Sequence, residues 1–152
     1  MANFGDSLKN AEKYLLNADH LVSVTFKVVE DKRILLNVLE NLYKSLLYGI
    51  DSILQYEAAT KKAMLFKESK KNLQLFKMIA EAYSINSSEI RFIDEIFYIT
   101  KKHKESPLEF LKKDKVVIMS DNLPYYLQVS TIRQYVSSTK TIIEKIKTRI
   151  SS

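Results

Sequence analysis

The sequence predicts a mostly α single domain, an up-and-down helical bundle with a long antiparallel helix pair and a small β-hairpin near residues 116–129. Three observations predict it. Between Gly49 and Pro107 the chain runs 57 residues without a Gly or Pro, and the whole sequence holds only two of each. These residue types most readily interrupt regular structure. Apolar side chains recur at spacings of three and four through most of the chain, which marks one buried face per helix. Only Val116-Val117-Ile118-Met119 forms a β-like run clear of any helical pattern.

The elements follow in order. Asp6 or Ser7 is placed to cap a first helix, Asp6–Val29, with Leu8, Ala11, Leu15, Ala18, Val22, Phe26 and Val29 on one face. Tyr14, Leu21 and Val28 widen that face, and the β-branched stretch Val22–Val29 weakens the helix end. After the charged break Glu30-Asp31-Lys32-Arg33, with Asp31 as cap, a second helix, Asp31–Glu57, carries Leu35, Leu39, Leu42, Leu46, Ile50 and Ile53 on one face. Ile34, Val38, Leu47 and Leu54 add apolar surface around it, so this helix is expected to be flanked on several sides. Gly49 in its middle costs about 1 kcal/mol relative to Ala, a cost that close approach of a neighbouring backbone would offset. So short a break makes the two helices an antiparallel pair.

Beyond the basic stretch Lys61, Lys62, Lys67, Lys70 and Lys71, a shorter third helix uses Leu73, Phe76, Ala80 and Tyr83. Asn86 with Glu89 three residues on reads as a capping box opening a fourth helix, which buries Ile90, Ile93, Ile96, Phe97 and Ile99 and ends in Lys101-Lys102-His103-Lys104. Ser106-Pro107 reads as cap and first position of a short helix through Leu108, Phe110 and Leu111. Val116–Met119 and Tyr125–Val129 then form the hairpin around Asp121-Asn122-Leu123-Pro124. A last helix, capped near Ser130, buries Ile132, Tyr135 or Val136, Ile143, Ile146 and Ile150.

At 152 residues, 46% apolar and 28% charged, the chain has the composition of one globular domain with a real core. No apolar run approaches the roughly 18–20 residues that cross a bilayer, and the amino-terminal segment lacks the pattern of a signal peptide. Zero cysteines fit a reducing compartment, and the chain is expected to be cytoplasmic. The net charge of +6 is unevenly spread: residues 1–57 carry six basic and eight acidic side chains, residues 58–115 thirteen and eight, residues 116–152 five and two. Basic character therefore belongs to the later part of the chain. Lysines number 20 against four arginines (Arg33, Arg91, Arg133, Arg149), a balance poor in the planar fork that reads phosphate and base edges bidentately.

Most familiar chemistries find no residues here. His20 and His103 have no carboxylate or second His at i±3 or i±4, so no helical metal-ligand pair exists, and thiolate sites are absent with the cysteines. Adjacent Asp94 and Glu95 point to different helix faces. Glycines at 5 and 49 alone cannot build a phosphate loop. No cofactor is expected. The candidate anion or nucleic-acid site is the segment KKHKESPLEFLKKDK, with Lys101, Lys102, His103, Lys104, Lys112, Lys113 and Lys115 gathered near the helix start expected at Ser106–Pro107. Glu105, Glu109 and Asp114 oppose it by neutralising part of the field. Tyr125 and Tyr126 nearby either stack bases or cover the edge of the core.

The long pair Asp6–Val29 and Asp31–Glu57, with its ADHL…LLNVLENLYKSLLYGIDSILQYE pattern followed by shorter helices, resembles the HEPN superfamily of small helical bundles over roughly the first 100 residues. The segment SPLEFLKKDKVVIM is similar to small archaeal proteins, which implies no function. Active HEPN ribonucleases carry an Arg-x4–6-His motif, and here neither Arg91 nor Arg133 is followed by a His at that spacing. The resemblance implies a non-catalytic bundle, often dimeric in that family. The function expected is thus a cytoplasmic interaction module, homodimeric or bound to a protein partner, without membrane attachment. The alternative is nucleic-acid or nucleotide binding through the basic 101–115 region, and a third reading is a divergent ribonuclease using His103.

Overall fold

A computed structural model describes residues 3–61, 69–106, 108–112, 115–120 and 123–151. The expected sites at Lys62, Lys67, Pro107, Lys113, Asp114, Asp121 and Asn122 lie outside the described residues. Helix α1 (Phe4–His20) starts from Asn3, whose side-chain oxygen accepts from the Asp6 N–H at 2.8 Å. Extended backbone at Asn3 lets that oxygen reach a free amide of the first turn, so the cap precedes the expected Asp6 or Ser7. Ser7 is buried instead and donates to Asp51. Past His20 the helix widens into a π turn, Leu21–Thr25, and closes with Phe26–Val28. The widening falls in the β-branched stretch expected to be weak. Ala18, Val22 and Phe26 stay buried through it, whereas Val28 and Val29 are exposed where the spacing had placed them on or beside the buried face.

Helix α2 (Lys32–Lys61) is capped by Asp31, which accepts from the Arg33 N–H at 2.9 Å. The Arg33 guanidinium also grips this carboxylate and holds it down at about 2. Leu35, Leu39, Leu42, Leu46, Ile50 and Ile53 are all buried as their spacing predicts, and Val38 and Leu54 join them. The α1–α2 pair is antiparallel: Ser7 meets Asp51, the Ser45 hydroxyl donates to the Ala11 carbonyl at 2.7 Å, and Tyr14 stacks on Tyr48. Buried Ser7, Ala11, Ala18 and Ser45 make the seam narrow, and its hydroxyls find acceptors within it.

Helix α3 (Ser69–Ile79) tightens into a 3-10 turn, Ala80–Tyr83, and stops at Ser84, whose φ of 59° is left-handed. Asn86 and Glu89 then exchange both bonds of the capping box, at 2.8 and 3.0 Å, to open α4 (Ser87–Glu105). Ile93, Ile96 and Ile99 face the core, while Ile90 and Phe97 are only half-buried.

No helix follows Ser106. Residues 108–112 form strand β1 (Leu108–Lys112), paired antiparallel with β2 (Lys115–Ser120), which pairs antiparallel with β3 (Leu123–Gln128). The hairpin expected at 116–129 is therefore two strands of a three-stranded meander. The reason is tertiary: a helix this short is marginal alone, whereas β2 offers an apolar edge along which five residues align in register. The Ser106 hydroxyl, expected as a cap, donates to the Met119 carbonyl at 2.7 Å and fastens the start of β1 to β2. Helix α5 (Val129–Ser151) returns across the bundle with Ile132, Tyr135, Val136, Ile142, Ile143 and Ile146 buried and Ile150 half-buried.

Gly49 is where α5 reaches α2. A Cβ added there would stand 2.8 Å from Ile143 Cδ1 and 3.2 Å from Ile146 Cδ1, so side chains, not the expected backbone, make the close approach. Gly49→Ala gains helix propensity of about 1 kcal/mol and overpacks the contact at about 1–3 kcal/mol. A net loss of about 1 kcal/mol is expected in urea unfolding. Ile143→Val, which removes the clashing methyl, is expected to cost less in the Gly49→Ala background than alone.

Candidate functional site

The short sheet packs one face on the helices and turns the other outward. Val116, Ile118 and Leu127 belong to the core, and Leu111 and Tyr125 pack against it. Side chains alternate along a strand, so the outer face presents Phe110 and Lys112 from β1, Lys115, Val117 and Met119 from β2, and Pro124, Tyr126 and Gln128 from β3. The register aligns them in rows: Phe110, Val117 and Tyr126 in one, Lys112, Lys115 and Gln128 in the next. Val117 is only 1% exposed although it lies on the outer face, while its row neighbours Phe110 and Tyr126 are 38% and 59% exposed. The two rings thus stand in one row with the valine and stay open to solvent themselves. Lys112 and Lys115 are both exposed and stand directly opposite one another, an arrangement that repels in the absence of an anion.

The same alternation disposes of an opposing charge. Glu109 points inward, where its carboxylate lies 2.5 Å from His103 Nδ1. Glu40 of α2 lies 3.1 Å from His103 Nε2, and Lys32 donates to the Glu109 carbonyl. The imidazole is thus held between two carboxylates from different elements, and it donates to both only as the imidazolium. His103 side chain is 15% exposed. It joins α2, α4 and β1. Its partners at sequence separations of 6 and 63 left no helical spacing from which to find them.

The basic 101–115 segment is consequently divided. Lys101 and Lys104 flank a groove of about 400 Å³ beside Tyr43, Phe97, Thr100 and Glu105, with the Lys104 ammonium 5.0 Å from the Tyr43 ring centre. Lys102 turns to another side of α4 and sits 5.4 Å from the Tyr98 ring centre. Only Lys112 and Lys115 reach the outer sheet face together, and Lys113 lies outside the described residues. In place of the short helix expected through Leu108, Phe110 and Leu111 stands β1, so the start of that helix does not adjoin these lysines. Tyr125 and Tyr126 divide as well. Tyr125 covers the core, its phenol pushed up by burial and by the charges of Glu95 and Tyr98; Tyr126 is exposed.

Elsewhere, Tyr135 donates to Glu95 at 2.9 Å, and burial together with that carboxylate pushes its phenol well above the ordinary range. Burial and the Glu57 charge do the same to Tyr83. His20 is exposed at the last turn of α1. Among the described residues no group of three His, Asp or Glu is set to hold a metal ion, and no helix is long and apolar enough to cross a membrane. No protein-family model, no curated protein and no solved structure matches this chain.

The clamp generates a stability prediction. Removing the imidazole leaves Glu109, largely shielded from water, without its hydrogen-bond partner, and hydrogen bonds to charged groups contribute about 1.5–3 kcal/mol. His103→Ala is expected to lose stability by that order in urea unfolding, and a double-mutant cycle with Glu109→Ala to return a coupling near 1 kcal/mol or more. Additive losses would contradict the clamp.

Proposed function

We propose that this chain is a non-catalytic binding module that takes a polyanion, nucleic acid in the first instance, on the outer face of its sheet. One observation carries the reading: strand alternation places Lys112, Lys115, Phe110 and Tyr126 on the same solvent-facing surface and turns Glu109 inward onto His103. An anion between the two opposed lysines relieves their repulsion, and the positive charge of the later chain favours its approach. Binding without cleavage agrees with the missing Arg-x4–6-His motif, and the antiparallel α1–α2 pair agrees with a HEPN-like layout. Lys101, Lys102 and Lys104 serve as peripheral attraction in this reading, since they face other directions.

A second reading, self-association as a homodimer, is favoured by the exposed apolar residues Leu16, Val24, Val28 and Val29 along and beyond α1. Sedimentation of the same samples separates the two readings.

Labelled RNA and DNA oligonucleotides test the proposal. Two lysine–phosphate contacts predict that affinity falls roughly tenfold between about 50 and 200 mM salt. Lys112→Glu with Lys115→Glu is expected to abolish this binding while Lys101→Glu with Lys104→Glu weakens it only modestly. Salt-independent binding, or equal losses in both double variants, would sink the sheet-face assignment.

A further inference from the structure

Phe110 and Tyr126 differ from the other described aromatic side chains. Phe26, Phe76 and Tyr83 are buried in the core. Phe4, Tyr14, Tyr43, Tyr48, Tyr56, Phe92, Phe97, Tyr98, Tyr125 and Tyr135 all sit in ring–ring pairs. Phe110 and Tyr126 are exposed and have no ring or cation partner among the described residues. They flank one buried valine on a surface with two lysines in the adjacent row.

We propose that Phe110 and Tyr126 are a stacking platform for two splayed bases, so that the polyanion is a single-stranded nucleic acid and not a duplex. This rests on the sheet-face reading above and names its ligand class. Neighbouring strands lie about 4.8 Å apart, so rings on β1 and β3 stand roughly 10 Å from each other. Bases inside a duplex are stacked on one another and present only their edges to the grooves. Bases of a single strand are free to turn and lay a face on an aromatic ring. The lysine row is two residues further along the strands, about 7 Å away, where the sugar–phosphate backbone of such bases can run. Any base has a face to stack, so the platform is tolerant of sequence. That tolerance agrees with a lysine-rich surface lacking arginine forks for base-edge readout.

The test uses the full chain with Phe110→Leu and Tyr126→Leu. Leucine keeps apolar cover over Val117 and removes the aromatic face, and thermal melting by circular dichroism shows that each variant is folded. Probes are labelled oligo(dT) and oligo(rU), a duplex of equal length, and inorganic polyphosphate, which carries charge without bases. Single strands are expected to bind at least tenfold tighter than the duplex. Each leucine variant should lose roughly tenfold for single strands, within the range measured for one stacked base, and nothing for polyphosphate. Unchanged single-strand affinity in both folded variants, or duplex binding equal to single-strand binding, overturns the platform while leaving the charge-based reading intact. Failure of every probe, polyphosphate included, removes that reading and the platform with it. A dimer in sedimentation that Tyr126→Leu dissolves overturns it too, by showing that a second copy covers the rings.

Discussion

Burying Val116 and Ile118 against the helices forces Val117 between them onto the far side of the sheet, because successive residues of a strand project to opposite faces. On that side Val117 shares its row with Phe110 and Tyr126 from the two flanking strands. The same alternation that places the rings outward also sets Lys112 against Lys115 and sends Glu109 inward. A one-residue slip of β1 would exchange all of these, burying Phe110 and exposing Glu109. Register in this small sheet is therefore the constraint on which the surface chemistry depends.

Several contacts fix that register. Ser106 ties the entry of β1 to Met119 on β2, while Glu109 is held by His103 and its carbonyl by Lys32. His103 comes from the last turn of α4 and Glu40 from α2, so the clamp fastens the sheet to both of these helices at one point. Basic residues in the last turn of a helix are favoured by the helix dipole in any case. Here the chain uses that position for an inward structural bond. The segment richest in basic residues accordingly gives up its histidine to the interior and scatters its lysines over several sides of the molecule.

Helices were legible from the sequence because a 3.6-residue period over many turns is a strong and redundant signal. All six residues of the main face of α2 are buried, and the Asn86–Glu89 capping box forms as its spacing predicts. The ends were less legible. Asn3 captured the cap because it lies just outside the periodic stretch, and the exposed ends Val28 and Val29 follow a π turn in the β-branched stretch, whose weakness was legible while the form it takes was not. Leu108–Lys112 misled because Ser-Pro is a strong local helix opener while its strand pairing depends on partners further along the chain. The candidate site shared that error. Its lysines could be counted from the sequence, but which of them meet depended on alternation along a strand that local signals assigned to a helix.

The measurement that bears most directly on this account is a two-dimensional amide NMR titration of the labelled chain with a short single-stranded oligonucleotide. The account predicts shifts centred on Phe110, Lys112, Lys115, Val117 and Tyr126, with the α4 residues Lys101, Lys102 and Lys104 moving little. Shifts centred on those α4 lysines, or on the exposed end of α1 around Val24 and Val28, would contradict it.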